Sequence, residues 1–280
     1  MINKLQAFGL IVAQAARGEL TFPTSVNSAL QLQLALAEPD CHIDQAIKLV
    51  LAEPVLAART VALANSAVHS RGAGAPVTSV RAAVMRMGYR NLYALVAAMV
   101  VRQFGSKIID PLLRQKAEQL WEHTAHVAAL AHVLARRVTR IDADTALFAG
   151  IVHAVGGFYL LSRADEFPGL LDDDEDRWME SAEEIISREV IRKLAIPAPV
   201  SEAIEGLRDG LLAIPPDSLL DTLLLAKQLS PVPSPLQVTF VEMLTPSDSV
   251  IDFIIDNDTL QSILAESSEE VASMSAALLV

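Results

Sequence analysis

The sequence predicts an all-α fold, a multi-helix bundle with no sheet. Hydrophobic residues make up 52% of the 280 residues but aromatic residues only 5%, and Ala, Leu and Val, which suit closely packed helices, dominate. Apolar positions recur at helical spacing, whereas the alternation typical of half-buried strands is nearly absent. A chain of this length can also bury a substantial hydrophobic core.

Capping residues and helix breakers divide the chain into successive helices. Pro54 stands at a first helical position, Asp110-Pro111 opens a further helix, Thr78 and Asp142 are candidate N-caps, and Gly88 ends a helix. The expected helices span residues 24–37, 43–52, 54–64, 79–87, 90–105, 111–138, 143–163, 177–194, 199–208 and 219–229, and helical runs follow near 236–244, 248–265 and 268–280.

The N-terminal segment could be a helix of the domain or a signal peptide. One Lys, an apolar patch and the small residues "AQA" give it a weak similarity to a leader. A glutamine interrupts the patch, however, and Leu5, Phe8, Val12 and Ala15 share one helical face. We therefore expect an amphipathic helix that packs on the core.

The formal net charge is −12, and the two halves of the chain have opposite signs. Residues 1–140 contain 15 Lys and Arg against 8 Asp and Glu, whereas residues 141–280 contain 7 against 26. Either the halves attract each other within the fold, or the basic half binds an anionic partner. Since an acidic protein is a poor general binder of nucleic acid, we expect no nucleic-acid partner.

Several classes of protein and site are excluded or disfavoured. The single cysteine, Cys41, permits neither an intramolecular disulfide nor a cysteine-based zinc cluster, and it suits the reducing cytoplasm. We expect no membrane span, because no apolar stretch reaches the roughly 18–20 residues of a transmembrane helix. The motifs GxxxxGK[ST], GxSxG, the EF-hand loop and a GxGxxG after a strand are missing.

The histidines of two consecutive helices are the most informative polar residues. His123 falls inside an apolar stripe of the helix 111–138, His126 lies on its edge, and His132 lies on the opposite, exposed face. His153 shares a face of the next helix with alanine and glycine residues, which let a partner helix come close. The short link makes the two helices antiparallel, so we expect His123 and His153 to approach each other in the core.

Such a pair can be two core histidines or part of a metal site. A metal ion needs further ligands, usually carboxylates where phosphate chemistry is involved. His126 could add a ligand, but Ala154 stands beside His153, and no Asp or Glu follows at a suitable position. The residues themselves favour core histidines.

Five segments follow one another in the order and spacing of a known bacterial family. They read FPTSVNSALQLQLAL, VLAEPVLAARTVALANSAV, PVTSVRAAVMRMGYRNLYALVAAMVV, LWEHTAHVAALAHVLARR and ALFAGIVHAVGGFYLL. Together they resemble the HDOD domain, the HD-related output domain of bacterial signalling proteins. On that resemblance the chain comprises an N-terminal helix at 1–17, an HDOD-like domain at 18–210 with an HD-superfamily-like bundle, and a C-terminal helical extension at 211–280.

The resemblance also implies a degenerate metal site. HD-superfamily phosphohydrolases hold a divalent metal with a His, a His-Asp doublet and a later Asp. His123 resembles the first His and His153 the His of the doublet, but the doublet here is His153-Ala154, and the later Asp has no clear match. Because a methyl group cannot hold a dication or accept a proton, we expect little or no phosphohydrolase activity and no catalytic residues. We also expect no cofactor and no bound metal, with His123, His126 and His153 as vestigial ligands.

The chain departs from the family pattern at three further places. The expected Trp-x-Leu-Pro step reads LAIP at 194–197, and the His pair that follows it is replaced by GLRDG at 206–210. Glu53 stands before Pro54 in place of the usual Asp, and it is expected to remain a capping acid.

Five polar residues are candidates for binding a ligand or a partner. Asn65 ends a helix, where Asn tolerates the left-handed conformation of a C-terminal cap; its alternative role is a contact in a binding groove. Arg59, Arg81, Arg86 and Arg90 belong to a basic stretch, and the last two share a helical face if the turn between them is gentle. They either bind a phosphate or an acidic partner helix, or they are solvated or paired within the molecule.

Three functions compete. The leading one is a non-catalytic signal-transduction or regulatory module of a bacterial cytoplasm, which binds a signalling protein or a ligand; a homodimer is compatible with it. The second is a metal-dependent phosphohydrolase acting on a nucleotide or phosphoester, with Asp142, Asp144 or Glu122 completing a divalent-metal site. The third is a nucleic-acid-binding regulator, against which the net charge argues.

Overall fold

The computed structural model describes residues 4–20, 24–38, 40–66, 75–171, 177–213, 215–236 and 257–279. Within these ranges the chain is helical and contains no strand, which confirms the predicted all-α fold. The helices are α1 (Lys4–Ala16), α2 (Thr24–Ala37), α3 (Ile43–Leu51), α4 (Pro54–Ala64), α5 (Val80–Met87), α6 (Tyr89–Gly105), α7 (Pro111–Leu134), α8 (Ala143–Val152), α9 (Val155–Ala164), α10 (Arg177–Lys193), α11 (Ala198–Gly206), α12 (Leu219–Gln228), α13 (Asn257–Glu266) and α14 (Ser268–Leu279).

Two predicted capping residues perform that role. The Asp110 carboxylate accepts hydrogen bonds from the backbone N–H groups of Leu112 and Leu113, at 2.8 and 3.2 Å, and Pro111 begins α7. Asp142 accepts from the backbone N–H of Thr145 at 2.7 Å. Each carboxylate satisfies N–H groups that have no partner within the helix and lies at its positive end.

Two other capping predictions are wrong. Ser79 rather than Thr78 caps α5, since its hydroxyl accepts from the backbone N–H of Ala82 at 3.2 Å. Glu53 precedes Pro54 as expected, but its side chain makes no capping hydrogen bond.

The long helix α7 lies at the centre of the main hydrophobic core. It packs against α6, α8, α9, α12 and α14. Leu120, Val127 and Leu134 of its apolar stripe are buried there, and Phe8 and Ile11 bring the N-terminal helix into the same core. A second, smaller core lies among α2, α3, α4, α5 and the first half of α6.

Helices α7 and α8 approach each other very closely at Gly150. A Cβ atom placed on Gly150 would lie 2.5 Å from the Cα of Ala128 and 3.0 Å from its backbone nitrogen. Real Cβ atoms do not approach backbone this closely, so position 150 requires glycine unless the helices separate. This is the close contact that the small residues of α8 predicted.

The single helix predicted over residues 143–163 is instead two helices. The helix α8 ends at Val152, α9 begins at Val155, and His153 and Ala154 form the turn between them. The imidazole of His153 turns back onto α8, with its Nδ1 atom 2.7 Å from the carbonyl oxygen of Gly150. Since an α-helix leaves its last carbonyl groups without backbone partners, a side-chain donor at this place stabilises the end of α8.

The far end of α7 also differs from the prediction. The α-helix ends at Leu134 and continues as a five-residue π-helix, Ala135–Thr139, rather than as α-helix to 138. Arg140 follows in the left-handed conformation, with φ of 58°. This residue reverses the chain, and Asp142 then starts α8 in the antiparallel direction.

The C-terminal helix α14 overturns the prediction that His132 is exposed. This helix packs along α7, and the exposed fraction of His132 is only 4%. The carboxylate of Glu270 on α14, itself 2% exposed, lies 3.8 Å from Nδ1 of His132 and 2.6 Å from the guanidinium of Arg136. The helices predicted near 236–244, and the part of 248–265 before Asn257, lie outside the described residues.

One described segment reaches the length and apolar character of a transmembrane helix, which the sequence did not predict. Ala143–Ala164, which comprises α8, α9 and the turn between them, could cross a membrane by length and composition alone. Of its most apolar window, 89% is buried inside the protein, as in a core helix.

A methyl group added at the contact of α7 and α8 should lower the free energy of unfolding. We expect Gly150→Ala to destabilise the protein by roughly 1–3 kcal/mol, because the new Cβ forces the two backbones apart. Gly9→Ala is the matched control, since Gly9 is exposed on α1 and nothing lies within 4 Å of its Cβ position. The control should stabilise the protein by roughly 0.5–1 kcal/mol. Urea denaturation of both variants measures the difference, and equal stabilities would contradict the close contact.

Candidate functional site

The candidate site is a pair of histidines on facing elements of the core. His123 lies in the middle of α7, and His153 ends α8. Their ring centroids are 5.5 Å apart, with the ring planes inclined at 62°. Both residues are buried, so the structure brings together the two histidines that the sequence placed on facing surfaces.

A backbone carbonyl group holds each imidazole in one orientation. Nδ1 of His123 lies 2.7 Å from the carbonyl oxygen of Val232, and Nδ1 of His153 lies 2.7 Å from that of Gly150. Since a carbonyl oxygen only accepts, both Nδ1 atoms must carry the hydrogen and donate it. The lone pair of each ring therefore lies on Nε2. The Nε2 atom of His123 is buried and has no hydrogen-bond partner.

The surroundings keep both rings neutral. Burial lowers the pKa of His123 below its ordinary value, and the positive charge of Lys227 lowers it further, against the opposing effect of the Val232 carbonyl group. The same causes, burial first and Lys227 second, place the pKa of His153 well below its usual range. Lys227 belongs to α12, which packs on α7.

A divalent metal does not fit this pair. Two neutral imidazoles are incomplete ligation for Mg²⁺ or Mn²⁺, which prefer carboxylate oxygens. Among the described residues no group of three or more His, Cys, Asp or Glu side chains could hold a metal ion. The positive charge of Lys227 acts on both rings, and it would also repel a dication.

The carboxylates that could complete a metal site have other positions or partners. Asp142 caps α8 and pairs with Arg90 at 2.9 Å. Asp144 accepts a hydrogen bond from the side chain of Asn91 at 3.0 Å. Glu122 is exposed on α7. His126, the third histidine considered as a ligand, is half-buried.

The arginines predicted to bind a ligand or partner contact different parts of the protein. Arg81 pairs with Asp44 at 2.8 Å. Arg86 donates to the carbonyl oxygen of Ala75 at 2.9 Å. Arg90 pairs with Asp142, so it does not join Arg86 in one patch.

The turn at Gly88 explains why the face shared by Arg86 and Arg90 is not formed. Its φ of 81° is a conformation that favours glycine, and it divides α5 from α6. Arg59 is buried, and burial together with the charge of neighbouring Arg102 lowers its pKa.

Ion pairs connect the basic half of the chain to the acidic half. Besides Arg90 with Asp142, Arg136 pairs with Glu270 at 2.6 Å. Arg137 lies 3.6 Å from the carboxylate of Glu266. These contacts support the interpretation in which the two halves attract each other within the fold.

Asn65 has a structural role that differs from the predicted one. It ends α4 with φ of −95°, so it is not in the left-handed conformation. Its amide group donates to the carbonyl oxygen of Val77 at 2.8 Å and accepts from the backbone N–H of Val77 at 2.9 Å. The side chain therefore fixes the chain that leads into α5 against the end of α4.

Sequence reasoning missed the segment that covers His123. Residues 230–236 read SPVPSPL and form the proline segment, in which three prolines alternate with other residues. Its Val232 carbonyl oxygen accepts from His123, and its Pro233 carbonyl oxygen accepts from Nε2 of Gln119 at 3.1 Å. The spacing of the prolines was the available signal, since it indicates a non-helical segment whose carbonyl groups lack helical partners.

The buried His153 should make the stability of the protein fall in acid. Because its folded pKa is depressed, the unfolded chain takes up the proton first, and stability is lost as the pH falls below about 6.5. His153→Gln keeps an N–H donor for the Gly150 carbonyl but does not titrate. We expect this variant to lose less stability than the wild type between pH 7 and 5, by up to about 1.4 kcal/mol per pH unit.

Denaturant titrations across this pH range measure the effect. His42→Gln, at an exposed histidine outside the core, is the control and should follow the wild type. Identical pH profiles for the wild type and His153→Gln would show that His153 is not buried in the neutral form.

Solved structures with the same fold match nearly the whole chain. A proposed metal-dependent phosphohydrolase from Shewanella amazonensis SB2B has a TM-score of 0.74 at 20% identity, over 99% of this chain and 100% of that one. An HDOD domain protein of unknown function from Geobacter sulfurreducens has a TM-score of 0.62 at 22% identity, over 95% and 97%. A proposed signal transduction protein from Marinobacter aquaeolei VT8 has a TM-score of 0.58 at 18% identity, over 99% and 67%.

Because all three sequence identities are low, these likenesses show the fold and no more. They extend through the C-terminal helices as well as the domain before them. No curated protein sequence matches the chain. The family model of the HDOD domain matches residues 22–195, which include α2 to α10 and both histidines of the candidate site. The chain therefore belongs to the HDOD domain family.

Proposed function

We propose that this protein is a non-catalytic regulatory module of bacterial signal transduction, which acts in the cytoplasm by binding a partner protein. One observation supports the proposal above the others: a segment of the chain itself occupies the place next to His123. The Val232 carbonyl group is bonded to this histidine, and the acid of the His-Asp doublet is replaced by Ala154. What remains of the HD site contributes to folding instead of chemistry.

The competing function is a metal-dependent phosphohydrolase. The Shewanella neighbour is described in those words, but at 20% identity the likeness concerns the fold, and function depends on the residues of the site. Among the described residues no carboxylate joins the two histidines in a group that could hold a metal ion. Lys227 also places positive charge near both rings, where a dication would bind. The proposed module therefore uses neither a metal nor another cofactor.

The binding of nucleic acid receives no support from the described surface. Arg81 and Arg90 are paired with acids of the same chain, and Arg86 is bonded to a backbone carbonyl group. With a net charge of −12, the field of the whole protein also repels a polyanion. A protein partner remains the best-supported one.

Metal analysis combined with a phosphodiesterase assay tests the proposal. We expect the full chain, purified in Mn²⁺ and desalted, to hold far less than one metal ion per molecule. With bis(p-nitrophenyl) phosphate and Mn²⁺ it should show no turnover above that of His153→Ala. The physical reason is that two imidazoles without an acid neither retain the ion nor activate a water molecule.

His42→Ala, at an exposed histidine, is the matched control for the loss of an imidazole. Stoichiometric Mn²⁺ and measurable turnover, both lost in His153→Ala but retained in His42→Ala, would overturn the non-catalytic function in favour of the phosphohydrolase.

A further inference from the structure

The proline segment makes two side-chain contacts with one face of α7. Gln119 and His123 are four residues apart, so they lie one above the other on the helix surface. They donate to the carbonyl oxygens of Pro233 and Val232, which are consecutive in the segment. Ser230 also donates to the Val232 carbonyl oxygen, at 3.0 Å.

These contacts recognise the backbone of the segment and not its side chains. Proline has no backbone N–H, so a proline-spaced segment offers carbonyl acceptors with few donors that need a partner. Its restricted φ also lowers the conformational entropy that is lost on binding. Another segment with alternating prolines could therefore make the same two hydrogen bonds.

A groove continues beyond the end of the proline segment. A cavity of about 590 Å³ lies beside Pro235 and Gln119, between the first turns of α7 and the chain that follows α9. Polar and apolar side chains share its lining, and the apolar ones are Leu112, Leu113, Ala164, Pro168, Leu170 and Leu171. Leu112 is 67% exposed at its edge.

The charged side chains of this cavity have partners in the described structure. Lys116 donates to the carbonyl oxygen of Leu171 at 3.0 Å. Asp110 caps α7, and Asp165 accepts from the backbone N–H groups of Ile109 and Asp110. Each of these three charged groups therefore has a hydrogen-bond partner within the protein and does not need one from an occupant of the cavity.

We propose that this surface, the proline groove, binds a proline-spaced apolar segment of a partner protein in competition with residues 230–236. The proline groove consists of Gln119, His123 and the cavity beside Pro235. The bound proline segment of the chain shows the recognition chemistry, and the cavity with Leu112 at its edge extends the surface for the partner. This inference rests on the proposed function, whose partner it identifies by chemical class.

A labelled peptide provides the first measurement. The probe is fluorescein-SPVPSPL, the sequence of residues 230–236, titrated with the full chain and followed by fluorescence anisotropy. In the wild type the proline segment competes at the high effective concentration of a tethered ligand. In Pro231→Gly/Pro233→Gly/Pro235→Gly the tethered segment becomes flexible and competes less, so the peptide should bind about tenfold more tightly or better.

Single variants in this triple-glycine background locate the bound peptide. Leu112→Asp places a charge at the apolar edge, and Gln119→Ala removes one donor. Each should weaken peptide binding about tenfold or more. Leu51→Asp is the matched control, because Leu51 is 59% exposed on α3, a helix that does not line the proline groove, and the change should have no effect. Circular dichroism verifies that each variant is folded.

Two results would overturn the proline groove. One is the absence of peptide binding to the triple-glycine variant at millimolar concentration. The other is binding that Leu112→Asp and Gln119→Ala weaken no more than Leu51→Asp does. Neither result depends on the phosphodiesterase assay, so the groove can fail while the non-catalytic function holds, and the converse also applies.

Discussion

The backbone contact between Gly150 and Ala128 sets the distance between α7 and α8, and the arrangement of the site depends on it. With a glycine at the contact the two helices lie close enough for His123 and His153 to face each other at 5.5 Å. The same closeness excludes water from the pair and leaves each ring one carbonyl partner from the protein. Burial then lowers the pKa of both histidines, and neutral rings become the stable form.

In this setting the two histidines act as structural residues. His153 stabilises the end of α8 by donating to the Gly150 carbonyl oxygen, and His123 anchors the proline segment through Val232. Both hydrogen bonds use Nδ1, the nitrogen that a metal-ligating histidine commonly gives to a carbonyl or carboxylate group. Each ring therefore directs Nε2 away from its carbonyl partner, as a metal-ligating histidine would, but residue 154 beside His153 is alanine and supplies no acid.

Local signals in the sequence predicted much of this arrangement, and long-range contacts account for most of what they missed. The caps at Asp110 and Asp142, and the facing histidines, follow from spacing within one or two helices. The burial of His132 depends on Glu270, which is 138 residues away in the chain, so no helical pattern within α7 could show it. The break at His153 lacked a proline signal, and the paired glycines that follow indicated only close packing.

Part of the surface of α7 is covered by residues after 195, beyond the matched family model. Val232 and Pro233 bond to one face of the helix, and Glu270 lies against another. The Shewanella structure aligns over all of its length and 99% of this chain, so these C-terminal helices belong to a shared fold. An active HD-type site would need open access to His123, whereas here that access is filled by a segment held through carbonyl groups. Under the proposed function a partner segment replaces these carbonyl contacts, so the residues that hold the chain's own segment also form the surface for the partner.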